Sequence, residues 1–426
     1  MLDAAPPAGL IAKAFEYGIP AFETARLVYG FSYNPSNPRR VPVNSFAHRR
    51  TLADHRHRML TTPNNDTLYS SAVIDLSAGP VALEVPEFGN RYYSIAFLDA
   101  YTNNFAYIGT RTAGGGEGRF LIAGPEWSGQ APDGTVLIRA PGHHISAQAR
   151  ILVKGPSEYA QVHRLQDGLI LHGPSPLPAR PELIAPVSGN AANFIAVLNQ
   201  VLRADPPPAA DTPILQTLVR VGIGADAPEL TSEQRAWWEK DFSRTRAELI
   251  TASKEIGPCD QGWQYLPQAT GNFGTDYETR AKIAIRGIAA NIAAESIYTM
   301  ALADRDGRPL DSANRYRLRL AADTPPARAF WSLSIYEMMP DGSMFFSDNE
   351  LHRYSIGSLT EGLYHDADGG LEILIQKDRP VDGGANWLPA PAKNFALIMR
   401  AYLPGPELLD GRFRYPGIEP LSWAGS

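Results

Sequence analysis

Two blocks of short alternating runs, at about residues 64–151 and 315–402, flank a long stretch with helical periodicity. This order, β then α then β, restricts the fold more than any other feature. A doubly wound parallel sheet needs strands and helices in regular alternation, and the chain lacks that alternation. The expected class is therefore α+β and β-rich, with two antiparallel sandwich or jelly-roll-like domains joined by a helical segment. The boundaries read as a helical segment over 1–34, a β domain over 35–156, a helical connector over 157–311 and a β-sandwich over 312–426.

Individual runs support this reading. Over 91–99, Tyr93, Ile95 and Phe97 share one face of a strand, and Tyr92, Ser94 and Ala96 share the other. In the second block, Tyr316, Leu318 and Leu320 alternate with Arg317 and Arg319, while 329–337, 371–377 and 395–402 read as further strands. The 37 glycines and 36 prolines supply many turns, such as Pro132-Asp133-Gly134. Helical spacing appears over 7–29, with Pro20 expected to kink or break it. It returns over 157–171 and 190–203. Thr231–Gln234 and Thr275–Glu278 fit capping boxes ahead of runs expected to reach about 256 and 301.

Composition narrows the function classes. With 39 basic and 45 acidic residues, the net charge of −6 gives no footprint for nucleic acid. Arg286 breaks the longest apolar stretch, so no membrane span is expected. The single cysteine, Cys259, excludes a disulfide framework, a zinc ribbon and an iron–sulfur cluster. The first residues carry neither a basic nor an apolar leader region. The reading is cytoplasmic as given, or periplasmic if a leader has been removed.

No nucleophile elbow, phosphate-binding glycine loop or His-Glu-x-x-His motif is present. Candidate chemistry therefore rests on clusters near strand ends, where sites tend to form. Asn64-Asn65-Asp66-Thr67-Leu68-Tyr69-Ser70 is the densest. A turn at Asn64-Asn65 would bring Asp66 and Tyr69 together as an acid–base pair, with Asp66 ionised by backbone N–H bonds; an Asx-turn with a purely structural role is the competing explanation. Asp99, Tyr101 and Asn104 form a second cluster, with Tyr92 nearby; by parity, if no bulge intervenes, Asp99 sits beside Tyr93, Ile95 and Phe97 at the rim of the apolar face, with Arg150 as a partner, and a turn cap is the competing explanation. His143, beside His144, is a candidate general base. Trp331 and Tyr336 are candidate substrate contacts, and Ser332 and Ser334 either share a cleft with Tyr336 or face water. His55 and His57 have the spacing for one strand face. A zinc site needs a third ligand such as His143 or His144, and the surrounding arginines favour a solvated segment instead. No metal or organic cofactor is assigned.

At these segments the chain resembles a bacterial family that pairs two domains of unknown function, numbered twelve fifty-four and twelve fourteen. The first likeness rests on Pro63–Ser71, Asp75-Leu76-Ser77, Arg91-Tyr92-Tyr93, Asp99–Asn103 and Gly124-Pro125. The second rests on Pro325-Pro326, Phe330–Leu333, Arg353–Ile356, Asn386–Pro391 and Arg400-Ala401-Tyr402. The resemblance implies a β-rich two-domain fold with a helical connector, and it transfers no catalytic residue. Taken with the clusters, the expected function is a hydrolase or lyase for a small molecule, using Asp, Tyr and His side chains. The alternative is a non-catalytic ligand-binding or self-assembling β protein, whose partner would be a second copy of the chain.

Overall fold

The structure, a computed structural model, describes residues 9–58, 61–174, 183–381, 384 and 386–421. The chain start that bears on a leader lies outside these residues.

Alternation over 67–152 produces the expected sandwich. Its larger sheet runs in the order Ala47–His48, Thr67–Asp75, His144–Leu152, Tyr93–Leu98, Asn104–Gly109, all antiparallel. The facing sheet consists of Thr135–Arg139, Gly118–Ala123, Val81–Val85 and Ile170–His172, with the first two strands parallel. Leu68, Ile74, Ile95, Phe97, Ile145 and Ile151 fill the core between the sheets against Leu83, Phe120 and Ile122. The period of two then forces Tyr69, Tyr92, Ser94 and Arg150 onto the opposite face of the larger sheet.

The second sandwich repeats this logic. Phe395–Pro404 lies between Ser296–Ala301 and Ala327–Met338 in a seven-stranded sheet. A four-stranded sheet built on Arg315–Leu320 and Leu371–Gln376 faces it, with one parallel pairing to Trp387–Pro389. Trp331, Leu333, Ile335, Leu397 and Met399 point into this core. Phe330, Ser332, Ser334, Tyr336, Arg400 and Tyr402 therefore point outward, toward the first sandwich.

Helices Leu10–Val28, Ala191–Ala204, Ser232–Ala252 and Tyr277–Gly287 share one core around Phe15, Phe22, Phe194, Trp238 and Phe242. The first helix is unbroken at Pro20, which is buried among its neighbours, so packing outweighs the lost hydrogen bond. The box at Thr231 and Gln234 forms as read. The one at Thr275 does not. Asp276 caps that helix instead, accepting from the Thr279 N–H, and the helix stops at Gly287. Residues 296–301 form a strand and not the end of a helix, because they complete the second sandwich beside Phe395–Pro404. No helix among the described residues is long and apolar enough to cross a membrane.

The Thr231 box closes two backbone donors at an exposed helix start. Thr231→Ala should lower the unfolding free energy by about 1 kcal/mol, and Thr231→Ser should restore most of it. Paired denaturant titrations of the variants check this.

Candidate functional site

The outward faces of the two large sheets meet in a seam whose polar groups come from both sandwiches. Asn64 begins it. Its side-chain oxygen accepts from the backbone N–H groups of Asp66 and Thr67, at 2.6 and 3.2 Å, and its amide donates to the Tyr402 hydroxyl at 2.6 Å. The Asx-turn therefore belongs to Asn64 and leaves the Asp66 carboxylate free of backbone donors. That carboxylate reaches across the seam and accepts from Ser332 Oγ at 2.6 Å. Burial pushes its pKa above the ordinary carboxylate value, against the opposing pull of Arg400 and Ser332. The expectation that backbone bonds keep Asp66 ionised is thus corrected.

Two arginines lie in the seam, Arg150 at 5% and Arg400 at 3% exposure. Arg400 donates to Ser334 Oγ and the Tyr336 hydroxyl, each at 2.8 Å, and to the Thr62 carbonyl at 3.3 Å. Tyr336 donates in turn to the Pro63 carbonyl at 2.8 Å. Arg150 stands beside Tyr69 and Ser94 in the sheet register. It donates to Asn291 Oδ1 and the Ala289 carbonyl, both at 2.9 Å, and its guanidinium lies 5.4 Å from the Tyr69 ring centre. Its buried Nε has no hydrogen-bond partner among the described residues. Among the described residues every direct hydrogen-bond partner of either guanidinium is neutral, although a buried charge normally requires an ionic one.

Tyrosines close the seam. Tyr402 stacks on Phe330 at 4.1 Å and meets Tyr92 edge-on. Burial, together with the nearby Asp66, Tyr298 and Tyr69, drives its pKa far up, so it stays a neutral phenol. Tyr92 donates to Glu295 Oε1 at 2.8 Å, and Glu295 Oε2 pairs with Arg111 at 2.7 Å. Asn291 is held by Arg150, Tyr107 and Tyr298.

The remaining candidates fall elsewhere. Asp99 accepts from the Tyr101 and Asn103 N–H groups and from the Asn103 amide, each at 2.9 Å, which makes it a loop cap remote from Arg150. The strand ends at Leu98, so Asp99 lies in the turn beyond it and the parity of Tyr93, Ile95 and Phe97 no longer sets where its side chain points. Tyr101 donates to the Asp205 carbonyl at 2.6 Å and packs in the helical core. Asn104 ties the sheet to the carbonyls of Gly271 and Ala290. His143 sits at the opposite end of its strand, 3.3 Å from Glu126, with its backbone N–H on Asp205. Trp331 faces the second core, away from the seam. His57 bonds Asp54 and does not join His55 or His143. No hydrogen bond joins Asp66 to Tyr69 among the described residues; both approach Tyr402 instead. Two open hollows of about 550 and 510 Å³ lie elsewhere, around Met339 and around Arg379.

Residues 43–173 match the model of the family described as Protein of unknown function (DUF1254), and residues 295–406 match that of Protein of unknown function (DUF1214). The chain pairs a DUF1254 domain with a DUF1214 domain. Asp66, Tyr69 and Arg150 lie in the first, and Glu295, Ser332, Arg400 and Tyr402 in the second. The whole fold is similar to the crystal structure of the VPA0106 protein from Vibrio parahaemolyticus, at 23% identity and a TM-score of 0.75 over 97% of this chain and 99% of that one. A putative uncharacterized protein from Burkholderia cenocepacia matches at 12% identity and a TM-score of 0.47, over 98% and 89% of the two chains. No curated protein matches the chain.

The raised pKa of Asp66 has a signed consequence. Its protonated form favours the folded state, so its contribution to stability is full below the unfolded carboxylate value of about 4 and is lost as pH rises through the folded one. Asp66→Asn removes that loss. The stability of the variant relative to the native chain should therefore increase with pH above about 4 and then level off. Denaturant titrations of both proteins between pH 4 and about 8 test it, and a difference that falls with pH would contradict it.

Proposed function

We propose that the seam between the DUF1254 and DUF1214 domains binds a small organic anion and acts on it as a hydrolase or lyase. Arg150 carries the reading. Its guanidinium is buried, its direct partners are neutral, and its Nε lacks a partner. A carboxylate would satisfy all three conditions with a charge-assisted hydrogen bond. Asp66, whose pKa burial raises, supplies a proton-transfer group. Tyr69, partly exposed beside Arg150, supplies a phenolic donor. No organic cofactor enters this scheme.

A second reading has its own support. The bonds Asn64–Tyr402, Asp66–Ser332 and Tyr336–Pro63 all join the two domains. A seam built only to weld them, with or without a bound ligand, would use the same contacts.

Thermal-shift measurements with a panel of small mono- and dicarboxylic acids separate the readings. An acid present at about 100 times its dissociation constant should stabilise the native protein by about 2.7 kcal/mol. Arg150→Gln should lose that response and Arg150→Lys should keep part of it. With a stabilising acid as substrate, Asp66→Asn and Tyr69→Phe should each lower turnover by roughly 10²–10⁴-fold. Binding without turnover would leave the ligand-binding reading. No stabilising acid in the panel would remove the proposal altogether.

A further inference from the structure

A separate cluster lies on the surface where the domains meet. The loop 347–353 is tied around Asn349, whose side chain accepts from the Leu351 and Arg353 N–H groups and donates to the Arg353 carbonyl. His352 takes a left-handed φ of 47° there, and its backbone N–H bonds the Asn349 carbonyl. This arrangement presents Asp348 and His352 together, with His352 Nδ1 3.6 Å from Asp348 Oδ1. From the other domain, His55 brings its Nδ1 to 3.3 Å from the same oxygen. The two imidazoles lie nearly parallel, 16° apart. The Tyr354 hydroxyl lies 2.9 Å from His55 Nδ1, a bond this nitrogen would give up on binding a metal, and Tyr354 is itself stacked on Phe346. Arg56, the cation next in sequence, is occupied by Asp54.

One potential ligand atom from each of His55, Asp348 and His352 lies within 4.8 Å of the others. Ligands at about 2.0–2.2 Å from a tetrahedral ion stand about 3.3–3.6 Å apart, so a small side-chain adjustment closes the set. Two imidazoles with one carboxylate suit a borderline divalent transition metal such as zinc, and not calcium or magnesium, which take oxygen. We infer that His55, Asp348 and His352 form a divalent transition-metal site that clamps the DUF1254 domain to the DUF1214 domain. The side chains of Asp348 and His352 are well exposed, at 65% and 73%, so the site stays open to water at its remaining position. The clamp is independent of the seam, whose polar groups it does not share.

Isothermal titration of the metal-free full chain with zinc chloride tests the inference. One equivalent should bind, and it should raise the thermal midpoint. His352→Ala leaves no packing defect, because the residue is exposed, and it should weaken binding at least tenfold and abolish the shift. His55→Ala should do the same. His57→Ala and Cys259→Ser, which alter the neighbouring imidazole and the exposed thiol, should bind as the native chain does. Absence of stoichiometric binding, or binding unchanged by His352→Ala, would overturn it. Magnesium chloride should give no response, and an equal response to magnesium would also overturn the assignment.

Discussion

The structure depends on how two buried guanidinium groups are kept charged where the sandwiches meet. Arg150 and Arg400 stand on facing sheets, and each holds only hydroxyls, amides and carbonyls. Placing a cation in such surroundings costs several kcal/mol unless its donors are satisfied. Two backbone carbonyls, the Asn291 amide and the Ser334 and Tyr336 hydroxyls accept from the terminal nitrogens, and among the described residues nothing accepts from Arg150 Nε. Among the described residues of the seam, Glu295 is paired to Arg111, which leaves the one carboxylate of Asp66 to face two guanidinium groups. The seam therefore holds an excess of positive charge.

The rest of the architecture serves to hold that seam. Residues 288–295 leave the helical unit at Gly287 and run between the domains before entering the strand Ser296–Ala301. On the way they provide the Ala289 carbonyl, the Asn291 side chain and Glu295, the partners of Arg150, Tyr107 and Tyr92. The Glu295 backbone carbonyl also accepts from Leu403 at the end of the long central strand. A helix running to residue 301 would have removed these partners and the strand Ser296–Ala301 together.

Much of the fold was legible because strand parity is a strict rule. Alternation at 93–97 and 316–320 correctly separated core from outer face, and the same rule could have exposed Arg400 and Tyr402 in the apolar run Phe395–Pro404. An arginine on the even face of such a strand signals a covered polar layer. The sequence could not show what covered that layer, because its partners come from residues some 200–340 positions away, as in Tyr92–Glu295 and Asn64–Tyr402. Local capping was similarly ambiguous. Asn64 and Asp66 are both able to cap a turn, as are Thr275 and Asp276 a helix, and tertiary packing chose between them. At Asp99 the turn cap prevailed over the rim position, because the strand stops at Leu98, and alternation alone does not mark where a strand stops.

The central proposal is that Arg150 binds a small organic anion. Its most direct test is a crystal structure of the full chain grown with a small dicarboxylate such as malonate. The account predicts a carboxylate oxygen within hydrogen-bond distance of Arg150 Nε, beside Tyr69. A seam that admits no anion, with malonate bound only at the protein surface, would contradict it.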